Sequence, residues 1–230
     1  MSVVFTTEGA NMKNFIPVLK ETPLFSGTSA EEIESMLSCL GARLCKFSKG
    51  EYVIRQGDRL SDILVLAEGS LHIQKDDYWG NRSILGQISP GEMFGEAYAA
   101  PESGAALNDV VAVEKSSVIF FDVKRILTTC PSACRFHSMV VQNMFFAISE
   151  KNRKLVQKLG HMSKRTTREK LISYLSEEAR KHNSSYFSIP FNRQQLADFL
   201  SVDRSAMSNE LSKMRSEGLL EFEKNNFRLL

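Results

Sequence analysis

The side chains best suited to chemistry lie between Asn192 and Met214, in the stretch NRQQLADFLSVDRSAMSNELSKM. Arg204, Ser205, Ser208, Asn209 and Lys213 recur at helical spacing on one face. That face consists of hydrogen-bonding groups rather than the Glu/Lys mixture of an ordinary solvated surface. A guanidinium at Arg204 can donate two bonds to guanine O6 and N7, and the Asn209 amide can pair with adenine N6 and N7. Ser205 and Ser208 suit either a base edge or a phosphate. Arg193 and Gln194, one helix earlier, suit the phosphate backbone, which fixes register without reading sequence. The chemistry expected here is recognition of duplex DNA.

Such a face needs a rigid support. Leu196, Ala197 and Leu200 put an apolar stripe on a first short helix, and Ser201-Val202-Asp203 breaks the period. Asp203 suits the N-cap of a second helix with Ala206, Met207, Leu211 and Met214 inward. Two short helices crossing at the small residue Ala197 describe a helix-turn-helix; a two-helix corner of an all-α core is the alternative. Ser201 stands where the turn prefers Gly, and Glu210 where an apolar residue is common. Gly218 ends the second helix, and LLEFEKNNFRLL reads as a hairpin turning at Asn225-Asn226. Helix-turn-helix followed by a β-hairpin makes a winged helix.

At 230 residues, 43% hydrophobic and 24% charged, the chain has room for two globular domains. MSVVFTTEGANMKNF has neither the basic start nor the apolar run of a signal peptide. No segment approaches the roughly 18 apolar residues of a membrane span. A cytoplasmic protein without membrane contact is expected. Cys39, Cys45, Cys130 and Cys134 form no C-x-x-C pair, which argues against a zinc ribbon and for reduced thiols. From Gly160 onward there are 12 Lys and Arg against 9 Asp and Glu, while the preceding residues carry 17 against 18. The mild basic excess suits a nucleic-acid partner.

The order of elements reads as α+β. Residues 13–40 are expected to be helical, with Ser29 capping a run in which Ile33, Met36, Leu37 and Leu40 share a face. Short β-rich segments follow at 43–47, 51–55, 62–68, 70–75, 82–88, 109–113 and 117–122, punctuated by glycines, with a hairpin tip at Gly80-Asn81. Many short strands between glycine turns indicate a jelly-roll β-barrel. Pro131 suits the first turn of a long helix. On that helix Val141, Phe145, Ile148, Asn152, Leu155, Leu159 and Met162 fall on one seam at alternating steps of four and three. A seam that is apolar except for one Asn is the pattern of a two-stranded coiled coil, so a homodimer is expected. Gly160 and the polar residues after it suggest a hinge. The expected division is 1–130 for the barrel with its N-terminal helices, 131–162 for the dimerisation helix and 163–230 for the winged helix.

Barrel, long helix and winged helix in this order resemble the cyclic-AMP receptor protein/FNR (CRP/FNR) family of transcription regulators. KGEYVIRQGD (49–58), LAEGSL (66–71), SPGEMFGE (89–96) and RQQLADFLSVDRSAMSNELSKM carry the resemblance. It implies a cytoplasmic homodimer on a palindromic double-stranded DNA operator. It also implies RNA polymerase as a partner and a small effector in a cyclic-nucleotide-binding-like barrel. Where the cyclic-AMP receptor protein carries Glu and Arg, this chain has Ser205 and Asn209, which implies a different operator. The resemblance places a candidate effector pocket at Gly95, Glu96, Ala97, Ala106, Leu107, Lys151 and Asn152.

The phosphate cassette departs from the family's nucleotide binders. There, a Gly-Glu pair is followed some ten residues later by Arg-Ser, whose arginine takes the phosphate; here the matching pair is Ala106-Leu107. No Lys or Arg lies between Glu96 and Asp109. A buried phosphate without a cation is poorly compensated, so an effector other than a cyclic nucleotide is expected, with Lys151 available for an anionic ligand. The family's oxygen sensors hold an iron–sulfur cluster on N-terminal cysteines. The first 38 residues here contain none, so no cluster is expected. Haem through His72 or a cysteine, and a redox pair of Cys130 with Cys134, are weaker alternatives. A metal-bearing jelly-roll enzyme would need a His/Glu cluster, yet His72, His137, His161 and His182 are scattered. A ligand-binding module acting through protein contacts alone would have no use for a winged helix.

Overall fold

Pro17, Pro23 and Gly27 cut the N-terminal segment into short pieces. The computed structural model describes residues 12–76, 78–79, 82–100, 102, 104–128 and 135–230. Residues 13–40 are not one continuous helix. They form a 3₁₀ turn at Met12–Phe15, α1 (Ile16–Glu21), a second 3₁₀ turn at Pro23–Phe25 and α2 (Ala30–Cys39). Each proline sits in a first turn, where a missing N–H costs nothing. Ser29 caps α2 as expected. Its Oγ accepts from the Glu32 N–H, and Glu32 Oε2 accepts from the Ser29 N–H at 2.8 Å. Ile33, Met36, Leu37 and Leu40 are buried.

The strands are β1 (Arg43–Phe47), β2 (Tyr52–Ile54), β3 (Asp62–Glu68), β4 (Leu71–Asp76), β5 (Arg82–Ile88), β6 (Met93–Phe94), β7 (Asp109–Ala112) and β8 (Ser116–Asp122). α3 (Glu96–Ala99) follows β6, and α4 (Val123–Leu127) follows β8. They form two antiparallel sheets in the orders β1-β8-β3-β6 and β2-β7-β4-β5. β3 shows why the fold holds. Leu64 and Leu66 pack with Leu71, Ala112 and Val118 inside the barrel. Ile63, Val65 and Ala67 point the other way, onto Leu19, Leu24, Phe25 and Ile33 of the helical layer. A strand covered on both faces must be apolar at consecutive positions, which DILVLAE is. Gly69, between β3 and β4, has φ +94°, and a Cβ there would lie 2.3 Å from Ser116 Oγ, so a side chain is excluded. The expected hairpin tip at Gly80-Asn81 lies outside the described residues, as do Pro131, Cys130 and Cys134; β4 and β5 pair antiparallel up to Asp76↔Arg82.

α5 (Arg135–Met162) is long enough to belong to both compact units, which divide between Ser149 and Glu150. Its first half is bound into the first unit. Val140 is buried, and His137 Nε2 lies 2.8 Å from the carbonyls of both Arg125 and Ile126. Asn143 Nδ2 donates to Ser26 O at 2.8 Å. Gly160 lies within the last turn of α5 and not in a flexible connector, because the next residue, His161, is buried in the second unit.

The second unit continues with α6 (Thr167–His182), β9 (Tyr186–Ser188), α7 (Arg193–Leu200), α8 (Arg204–Ser216), β10 (Leu220–Glu223) and β11 (Asn226–Leu229). Thr166 and Glu169 form a reciprocal cap on α6. Leu171, Leu175, Leu196, Ala197, Leu200, Met207, Leu211, Met214 and Phe227 make one core. The three strands form a sheet in the order β10-β11-β9. The hairpin turns at Lys224-Asn225, one residue earlier than expected, and Glu223↔Asn226 is the last pair. The register explains the shift: Phe222 opposes Phe227, and a slip by one would turn the fully buried Phe227 to solvent. Lys224 therefore takes φ +51° itself.

Candidate nucleic-acid interface

α8 begins where Asp203 Oδ1 accepts the Ala206 N–H at 2.8 Å. Met207, Leu211 and Met214 are buried at steps of four and three, which fixes the opposite face outward. Ala206, expected inside, is exposed. Arg204, Ser205, Asn209 and Lys213 are all exposed, and their side chains have no hydrogen bond or ion pair among the described residues. Ser208 is half-buried and donates to its own helix, at Arg204 O, at 2.9 Å. Asn209 does not cap the helix; Asp203 does. Apart from the Ser208 hydroxyl, the outward face thus offers donors and acceptors that are mounted on a fixed helix and not consumed internally. Ser212, which the sequence reading missed, is also exposed, with its hydroxyl on Ser208 O at 3.0 Å.

Both departures from the motif are compensated. Ser201 takes the left-handed conformation, φ +51° and ψ +60°, that Gly would adopt without cost. Lys170 Nζ reaches across from α6 and donates to the carbonyls of Leu200 and Ser201 at 3.1 and 3.2 Å. A cation on the last carbonyls of α7 is favourable both as hydrogen bond and against the helix dipole. Glu210 does not face the core unpartnered. Arg168 of α6 bonds it at 3.3 Å and also pairs with Glu217, whose carboxyl it holds below the usual carboxylate range. One guanidinium therefore ties α8 to α6 through two carboxylates.

Arg193 is used differently from the expected phosphate contact. Its guanidinium lies over the rings of Phe222 and Phe227, 4.8 and 5.1 Å from their centres. Burial lowers its pKa, and its Nη1 is enclosed without a hydrogen-bond partner among the described residues. The side chain holds the wing against the start of α7 by cation–π contact. Arg215 stacks on Phe222 as well, at 4.9 Å. Gln194 is exposed, and one amide hydrogen goes to Asp198 Oδ1 at 2.8 Å. Lys224, at the hairpin tip, is an exposed cation that the shifted turn brings there.

The candidate effector residues come from separate segments of the chain. Gly95 has φ +80°, which disfavours any other residue, and a Cβ there would also sit 2.8 Å from Leu64 Cδ1, so its glycine is accounted for by local folding. Glu96 opens α3 half-buried, and Ala97 is exposed. Ala106 is 2% exposed; its N–H donates to Asp58 O and its carbonyl accepts from Gly57, each at 2.8 Å. Leu107 is exposed. Lys151 and Asn152 are exposed on α5 and belong to the second unit. His72 is half-buried on β4, and no group of three His, Cys, Asp or Glu is placed to hold a metal among the described residues. Burial raises the pKa of the Cys45 thiol, and Cys39 Sγ lies 4.0 Å from His137 Nδ1.

Of the expected seam, Phe145 (67% exposed), Ile148, Leu155 and Leu159 are exposed, and Asn152 with them. Val141 is half-buried against its own helical layer, and Met162 is half-buried with Ser201 Oγ at 4.0 Å from its sulfur. The ends of the seam are thus occupied within the chain. Phe146 and Val156, outside the heptad positions, are exposed too and widen the apolar strip. No helix among the described residues is long and apolar enough to cross a membrane.

Two family descriptions match in tandem: Cyclic nucleotide-binding domain over residues 44–132 and Crp-like helix-turn-helix domain over residues 169–230. The chain is similar to the Cyclic AMP receptor protein of Thermus thermophilus, 24% identical over 88% of this chain and 89% of that one. It is similar also to the Transcriptional activator protein FnrA of Stutzerimonas stutzeri, 23% identical over 79% of this chain and 74% of that one. Among solved structures, CprK complexed with OCPA shares the fold at a TM-score of 0.61 and 16% identity, over 86% of this chain and 91% of that one.

Proposed function

We propose that this chain, which belongs to the CRP/FNR family and is a DNA-binding transcription regulator of that type, acts as a homodimer on a palindromic operator under a small effector other than a cyclic nucleotide. The outward face of α8 carries the reading: Arg204, Ser205 and Asn209 are exposed, internally unpaired and mounted on a buried Met207-Leu211-Met214 spine. In the major groove, Arg204 reads guanine and Asn209 reads adenine, each worth about 1–3 kcal/mol of discrimination. The exposed strip of Phe145, Ile148, Leu155 and Leu159 supports pairing of two α5 helices, with Asn152 against its copy setting the register. A two-fold dimer then offers two α8 helices to half-sites roughly 34 Å apart. A cytoplasmic location and contact with RNA polymerase go with that role.

The effector reading rests on Ala106. The resemblance matches it to part of the family's Arg-Ser pair, and here it offers only a buried methyl group with both backbone groups engaged, so no guanidinium is supplied for a phosphate. Lys151 is the group offered for an anionic ligand such as a carboxylate. The match to the Cyclic nucleotide-binding domain over 44–132 favours a second reading, in which cyclic AMP or cyclic GMP is held by Glu96 and backbone N–H groups. Calorimetry separates the two: heat with neither nucleotide is expected, and micromolar binding of either would replace the first reading with the second. For the DNA role, gel shift with random duplex should show retention that strengthens as the pool is enriched. A pool that never enriches would refute it.

A further inference from the structure

His161 closes the last turn of α5 and is 4% exposed. Its contacts all lie in the second unit. Ser173 Oγ of α6 is 2.9 Å from Nδ1, and Glu177 Oε2, one turn on, is 3.3 Å from Nε2. Tyr174 meets the ring edge-on at 5.7 Å, and Phe199 of α7 lies 6.4 Å away. Phe199 in turn packs at a tilt against Tyr174 and Phe191. One side chain at the end of the long helix therefore touches both α6 and the first helix of the helix-turn-helix.

Both ring nitrogens are engaged, and one neutral tautomer satisfies both partners. Nε2–H donates to the Glu177 carboxylate while Nδ1 accepts the Ser173 hydroxyl, an assignment made from the network of partners. We propose that His161 is the positioning residue that docks the last turn of the long helix onto the helix-turn-helix, and that DNA binding requires it as the neutral imidazole. The inference rests on the DNA-binding function given above and says how the reading helices are held.

The charges around the ring set the pH dependence. From α6, Glu177 and Glu178 favour the imidazolium and Lys181 opposes it; Lys164, after α5, opposes it too. Glu177 already shares its charge with Lys181, 3.1 Å from its other oxygen. Lys158 of α5 lies over the Phe199 ring at 5.4 Å, and burial raises the Tyr174 phenol, which stays neutral. Burial outweighs the carboxylates and holds the His161 pKa below its ordinary 6.5. A group depressed in the folded state contributes its full stability above its unfolded pKa and loses it as pH falls below. An imidazolium would also force the Ser173 hydroxyl to turn from donor to acceptor. Acidification below about 6.5 thus loosens this junction.

The test uses the full-length protein and a fluorescent duplex recovered from random DNA, at about pH 7.5 and about pH 5.5. At the higher pH, His161→Ala should bind roughly tenfold more weakly. His161→Gln, whose amide supplies one donor and one acceptor, should stay within about threefold of wild type. On acidification the ratio of wild-type to His161→Gln affinity should fall several-fold, since general effects of pH on DNA binding cancel in the ratio. The His161 ring resonance should titrate below 6.5. Wild-type affinity in His161→Ala, or a ratio that does not move with pH, would overturn the proposal. So would a His161 titration above that value. Should His161→Ala fail to fold, the comparison with His161→Gln still decides. Failure of the wild type to recover any duplex would be a different result, removing the DNA-binding function and this role with it.

Discussion

In the second unit the reading groups belong to one helix, Arg204–Ser216, and the support beneath them is made by the same thirteen residues. In the first unit the residues matched to a ligand pocket come from separate segments, around Gly95 and around Ala106, and one of them is part of the barrel core. A helix face is specified by spacing alone, so its exposed side can change from protein to protein while its buried side holds. A pocket is specified by how distant segments meet, and a single change such as an alanine for a cation alters its chemistry without disturbing the barrel. The comparison also separates two uses of left-handed backbone. Gly95 adopts it without cost because it has no Cβ, whereas Ser201 carries a conformational cost that Lys170 offsets.

The largest effect should come from the exposed apolar strip of α5. Phe145→Asp sets two carboxylates against each other in the proposed dimer and should weaken it by more than about 4 kcal/mol. Sedimentation at micromolar concentration should then find monomer where the wild type is dimeric. A wild type that is itself monomeric would remove the dimer.

Next is Leu211→Ala, which empties a fully buried site in the second unit and should cost about 3 kcal/mol. Hydrogen exchange should show α7 and α8 losing protection while β3 keeps its own. Equal loss in both would mean that the two units do not unfold separately.

The smallest effect concerns the turn. Ser201→Gly should stabilise the second unit by about 0.5–1 kcal/mol, seen as a higher unfolding midpoint with unchanged DNA affinity. A lower midpoint would show that the Lys170 contacts need the serine.

The reach of the sequence follows the same division. Strand after strand of the barrel was legible, because DILVLAE and its neighbours carry apolar runs between glycines. β6 and α4 were not, since two to five residues carry no period. The helix-turn-helix was legible from Leu196, Leu200, Met207, Leu211 and Met214, which set both faces. The hairpin register was not, because Asn225-Asn226 is a good turn signal and only the pairing of Phe222 with Phe227 moves the turn to Lys224. The roles of Arg193, Arg168 and His161 depend on partners 12 to 49 residues away in sequence, which spacing cannot supply.

The central claim is that α8 reads DNA through Arg204 and Asn209 on a two-fold dimer. Parallel selection of wild type and Asn209→Ala from random duplex DNA tests it most directly. The wild type should recover a palindrome with half-sites about one helical turn apart. Asn209→Ala should lose preference at one symmetric pair of positions, by about 1–3 kcal/mol, and keep the rest. The same consensus from both proteins, or a wild-type consensus without two-fold symmetry, would contradict it.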